Sequence, residues 1–105
     1  MATTKDFTEY VCDNVKEFGM VTSKKMFGEY MVYINYKPLL LVCDNTVYIK
    51  MLDEIKEFMI NADTGYPYDG AKEHYILDVE DYEVTSKVIP VLERVISVPK
   101  RKTKK

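Results

Sequence analysis

One histidine, two cysteines and 17 acidic residues are the side chains in this 105-residue sequence with a claim on covalent or acid–base chemistry. Nucleophilic catalysis needs a nucleophile, a base and an orienting group brought together from separate segments. His74 has Glu73 beside it and Asp78 four residues on, which leaves Cys12 or Cys43 as the nucleophile. Each cysteine lies in an apolar run, where a small core residue is the ordinary role. His74 reads as an exposed strand residue, so no triad follows. Two cysteines 31 positions apart and a single histidine supply neither the paired-cysteine nor the paired-histidine spacing of a zinc site. The four glycines, at 19, 28, 65 and 70, never cluster into a phosphate-cradling loop. The acid pairs Asp53-Glu54 and Glu80-Asp81 sit where helices start, and the helix dipole accounts for them. The expectation is a protein that is not an enzyme, with no cofactor and no metal.

Two features point to binding instead. Lys24-Lys25-Met26-Phe27-Gly28-Glu29-Tyr30 precedes the most strand-like part of the chain, and Lys24 and Lys25 are the only adjacent basic pair before the C-terminal end. A glycine between two strand signals marks a bulge or tight corner that turns Met26 or Phe27 into the core. The rival reading has the corner presenting Phe27 and Tyr30 to a partner. The second feature is a sheet face with Tyr33, Tyr48, Tyr75 or Ile76, and Leu39 or Leu40 on it. Tyrosine-rich faces with apolar neighbours belong in interfaces, and a homodimer comes first, with another protein as the other partner. Aromatic sheet faces also stack single-stranded bases, but normally inside a basic groove.

The elements that must position these residues are legible from periodicity. Phe7, Tyr10, Val11, Val15 and Phe18 recur at helical spacing, with Thr3 or Thr4 to cap the start and Gly19 to end it. Four short strands follow at about 23–27, 30–35, 39–43 and 46–51, separated by turn signals at Gly28, at Asn35 and at Asp44-Asn45. The 39–43 run does not alternate, which suits a central strand with apolar contact on both sides. Leu52, Ile55, Phe58 and Met59 make a short second helix, and residues 61–72 are irregular. A fifth strand fits 74–79, with Tyr75, Leu77 and Val79 on one face. A last helix fits 82–97, kinked by Pro90 or starting near Ser86. The expected fold is an α+β two-layer sandwich, an antiparallel sheet of about five strands with helices on one face.

Charge divides the chain. Residues 1–98 hold ten bases against all 17 acids, a net of −7, while Lys100, Arg101, Lys102, Lys104 and Lys105 give the last seven positions +5. We therefore read one domain over 1–98 and a basic disordered tail over 99–105. The acidic body repels polyanions, so nucleic acid could be held only through the tail, with a log–log salt slope of roughly −4 to −5 for five phosphate contacts. The longest unbroken apolar run, residues 39–43, is far too short to span a membrane. Without a secretion-type leader or a cysteine framework, the expected compartment is the cytoplasm.

Lys25-Met26-Phe27-Gly28-Glu29-Tyr30, the Leu39-Leu40-Leu41-Val42 run, Val47-Tyr48-Ile49-Lys50 and Tyr66-Pro67-Tyr68 together resemble the N-terminal domain of TfoX/Sxy proteins. That family carries an R-M-F-G-G-Y-type motif, an apolar strand, an "lYlK" strand and a later "F-x-Y" element. Here Lys25 stands for the arginine and Glu29 for the second glycine. The pattern covers about residues 5–98 and reads as a short stand-alone member without the C-terminal helical domain. The resemblance implies a secretion-chaperone-like architecture. It also implies kinship with bacterial regulators of competence for DNA uptake, which act on transcription with a cyclic-AMP receptor protein. Lys25, Met26, Phe27, Gly28, Tyr30, Tyr66, Pro67 and Tyr68 become the motif residues for an interaction. Tyr33 and Tyr48 mark the candidate dimer face.

Overall fold

The protein is described by a computed structural model over residues 4–26 and 28–98. The first helix, α1 (Lys5–Val15), begins where Thr4 Oγ1 accepts the Phe7 N–H at 3.1 Å. This cap satisfies one of the amides that a helix start leaves without a partner. Thr8, Val11 and Val15 form its buried stripe, and the Thr8 hydroxyl donates to the Thr4 carbonyl at 3.2 Å. A single 3-10 turn, Lys16–Phe18, extends the helix to Gly19.

Four strands follow in an antiparallel meander: β1 (Val21–Met26), β2 (Glu29–Ile34), β3 (Lys37–Cys43) and β4 (Thr46–Lys50). Two of the hairpins turn through residue pairs with positive φ, Asn35-Tyr36 at 53° and 69° and Asp44-Asn45 at 55° and 55°. Left-handed pairs of this kind match the twist of the flanking strands, and Asn and Asp tolerate them best. After a 3-10 segment, Asp53–Met59, come β5 (Thr64–Gly65) and β6 (His74–Ile76), then α2 (Tyr82–Val95). The sheet order is β1-β2-β3-β4-β6-β5. An α+β fold with an open antiparallel sheet is what periodicity indicates, with six strands rather than about five. The extra strand is the two-residue β5, too short to show alternation, inside the stretch read as irregular.

Further details differ from expectation. The helix read at residues 52–59 is a 3-10 segment. The last helix starts at Tyr82, as the 82–97 reading has it and not near Ser86, and ends at Val95; Asp81 Oδ1 caps it by accepting the Val84 N–H at 3.3 Å. Pro90 lies inside α2 on its exposed side, where water can take the carbonyl that a proline leaves without a donor.

One core joins both helices to one sheet face. Ile34, Leu40, Ile49, Ile55, Ile89 and Leu92 are its largest fully buried side chains. The β2–β3 hairpin is tied to the last turns of α2 by a small polar cluster. Asn35 Oδ1 accepts the Met20 N–H at 2.9 Å, and Asn35 Nδ2 donates to Glu93 Oε2 at 3.3 Å. Lys37 Nζ lies 3.2 Å from Glu93 Oε2 and donates to the Glu93 carbonyl at 2.6 Å.

Two expected results follow from this corner. Gly19 sits at φ 154°, and a Cβ there would come within 2.7 Å of the Asn35 side chain. Backbone of this kind is essentially restricted to glycine, at a cost on the order of 1–3 kcal/mol for other residues. Gly19→Ala should therefore lower the unfolding free energy by that order, read as a lower urea midpoint, and an unchanged midpoint would show that the corner relaxes freely. The Glu93 carboxyl is held below its ordinary value first by the Lys37 hydrogen bond and then by Asn35. A depressed folded-state value means stability present above the unfolded value and lost as pH falls through the folded one. The stability gap between the protein and Glu93→Gln should thus shrink on acidification from pH 7 to below 4. A gap constant with pH contradicts the assignment.

Candidate functional site

The strand register decides which side chains face away from the helices. Val32 pairs with Leu40, Val42 with Val47 and Ile49 with Tyr75, all on the core face. Their neighbours form a row across the opposite face. Lys24 pairs with Met31, Met31 with Leu41, Leu41 with Tyr48 and Tyr48 with Ile76. Met31, Leu41, Tyr48 and Ile76 are half-buried, although the helices all belong to the core on the other side. Tyr33 lies on the same face, next to Thr22 and Pro38. The row combines thioether, aliphatic and phenolic side chains, a composition enriched in protein interfaces.

Tyr48 is the best-supported side chain on the ridge. Gly65 leaves room for its ring, since a Cβ there would lie 3.3 Å from Tyr48 Cε1 and 3.5 Å from Ile76 Cδ1. The His74 ring stands edge-on to it at 6.4 Å. Burial pushes the Tyr48 hydroxyl up, with help from Cys43 and Asp44. At the end of β3, burial and then Glu29 and Asp44 push the Cys43 thiol up to about 11. Burial and the neighbouring Asp13 and Glu9 raise Cys12 as well. Thiols shifted upwards are poor nucleophiles at neutral pH. His74 Nδ1 is 2.7 Å from the Lys72 carbonyl, which fixes that nitrogen as the protonated one in the neutral ring.

The motif residues separate rather than converge. Lys25 is exposed on β1, Met26 is half-buried at its end, and Gly28 turns with φ 86°. Tyr30 lies on the helix side and packs partly against the core. Phe27 lies outside the described residues, as do Lys100, Arg101, Lys102, Lys104 and Lys105. Tyr66 and Tyr68 are 63 % and 60 % exposed, with Pro67 half-buried between them. Tyr33 and Tyr48 share the open face but stand two strands apart. Of the alternatives left open by spacing, Ile76 rather than Tyr75 faces outward, and neither Leu39 nor Leu40 does. Leu41 and Met31 take that place, and spacing alone missed both.

Two clefts open beside the sheet. One of about 500 Å³ lies between the 3-10 segment, β6 and the start of α2, lined by Glu57, Phe58, Asp63, Asp78, Asp81 and Val84 among others. Asp78 accepts the Glu80 N–H at 3.0 Å and Asp81 caps α2, so both carboxylates already serve the backbone. The other, of about 310 Å³, runs along α1 and β4 past Phe7, Tyr10 and Val47. Among the described residues no group of three or more His, Cys, Asp or Glu side chains is placed to hold a metal ion. No helix among them is long and apolar enough to cross a membrane.

The family model described as the TfoX N-terminal domain matches residues 13–92. A relative from Spirochaeta aurantia, described as an uncharacterized 12.7 kDa protein in the trpE 5' region, is 34 % identical. That similarity covers 99 % of this chain and 93 % of the relative.

Proposed function

Because the chain belongs to the TfoX N-terminal domain family, we propose that it is a small regulatory module that acts by protein contact and catalyses no reaction. Its first partner is a second copy of itself. The observation that carries this reading is the open sheet face, with Met31, Leu41, Tyr48 and Ile76 in one row and Tyr33 beside it. The high-lying thiols of Cys12 and Cys43 and the backbone-tethered His74 favour the non-catalytic part.

A two-fold axis along the strands, between two stacked faces, sets β1 of one copy over the β5–β6 side of the other. That orientation keeps the lysines of β1 apart while the central ridges meet. The contact is isologous and closes on itself as a dimer. Sedimentation equilibrium of the protein beside Tyr48→Glu tests it: a dimer that the variant abolishes supports the reading, and a wild-type monomer at 100 μM or so sinks it.

A further inference from the structure

The sheet has two edges of unequal length. One is the two-residue β5, the other the six-residue β1, on which Thr22, Ser23, Lys24 and Lys25 are all exposed. Hydrogen bonding to β2 uses alternate residues. Asn35 N–H donates to the Met20 carbonyl at 2.8 Å, which continues the β1–β2 register. Alternation from that bond turns Thr22, Lys24 and Met26 toward β2. Val21, Ser23 and Lys25 therefore point their amides and carbonyls outward, as a template for one more strand.

Charge selects what that strand is. Lys24 and Lys25 are successive residues, so their side chains leave opposite faces of the sheet. The ion pairs among the described residues use Lys5, Lys37 and Lys87, so neither Lys24 nor Lys25 is in one. A strand laid beside β1 places two successive residues opposite them, one on each face. Opposite charges stabilise such cross-strand pairs and like charges oppose them. We propose that the β1 edge binds an extended segment of another protein that carries two consecutive acidic residues.

A second copy of this chain does not meet that requirement. Its adjacent acid pairs are held in other structure, Asp53-Glu54 in the first turn of the 3-10 segment and Glu80-Asp81 at the cap of α2. Two β1 edges paired with each other would crowd four lysines. This proposal does not depend on the open-face dimer, because face-to-face packing leaves the outward amides and carbonyls of the β1 edge open.

The test is fluorescence anisotropy on the full chain with a labelled peptide, threonine-valine-glutamate-glutamate-valine-threonine, and a control peptide with lysines in place of the glutamates. We expect the acidic peptide to bind at least about tenfold tighter at low salt, with the difference reduced at 0.5 M salt by screening. Ser23→Pro removes an outward N–H without touching the β2 ladder and should abolish binding. The double variant Lys24→Glu, Lys25→Glu should reverse the preference, which keeps the idea testable if the proline variant folds poorly. Equal binding of both peptides overturns the proposal, and so does no binding of either. Acidic-peptide binding that survives in both variants belongs to the C-terminal lysines and also overturns it. A wild-type dimer that Ser23→Pro, but not Tyr48→Glu, turns into monomers would assign the edge to a second copy instead.

Discussion

Leu40→Ala should destabilise the protein by about 2–5 kcal/mol, whereas Leu41→Ala, one residue on, should cost about 1 kcal/mol or less. Leu40 is fully buried and Leu41 half-buried on the opposite face. The difference originates in a bulge. Val32 pairs with Leu40 but Tyr33 pairs with Pro38, so β3 spends one extra residue, Leu39, against β2. The extra residue lets Leu39 and Leu40 both join the core, after which the strand alternates normally with Leu41 out and Val42 in. A one-residue slip would exchange the fates of Leu40 and Leu41. Thermal unfolding of the two variants reads this directly. At roughly 4–8 °C per kcal/mol for a domain of this size, Leu40→Ala should lose ~10 °C or more. Low micromolar protein keeps any dimer contribution out of the comparison. Equal losses would mean that the register is wrong.

That bulge also marks the limit of what spacing could reveal. The hairpins were legible because Asn35 and Asp44-Asn45 are residues that accept left-handed backbone, and because residues 46–50 alternate cleanly. The family was legible in the corner and strand motifs. The non-alternating 39–43 run signalled burial but not which leucine faced which way, since that depends on the pairing with β2. Tyr75 and Ile76 posed the same problem. Tyr75, Leu77 and Val79 share the buried phase that their spacing indicates, but only pairing to β4 puts Ile76 beside Tyr48 on the open face. The Lys24–Tyr30 corner could be read either way, and the structure turns Tyr30 to the core while leaving Lys24 and Lys25 in water. Local chemistry chose the elements; long-range register chose the surface.

Tyr48→Glu should weaken self-association at least ~30-fold while leaving the fold intact. The open face spans about five strand spacings of ~4.8 Å and strands of ~20 Å, a plan area of roughly 500 Å². That is below the ~800 Å² per partner of a standard interface, so the dimer should be reversible with a dissociation constant in the micromolar range. Small interfaces concentrate their energy in a few central anchors, most often aromatic or arginine side chains, with losses of about 2 kcal/mol or more on truncation. Tyr48 holds that position, seated over Gly65 between Leu41 and Ile76. A carboxylate there adds an uncompensated charge to a surface that must dry on association. In the free chain Tyr48 is half-buried with its face open, so the same charge keeps access to water and stability should change little. Sedimentation equilibrium from 5 to 200 μM, with circular dichroism on the same samples, separates the outcomes. A wild-type dimer and a folded monomeric variant identify the ridge as the dimer contact. A variant that still dimerises moves the interface elsewhere, and the open tyrosine face loses its place as the basis of function.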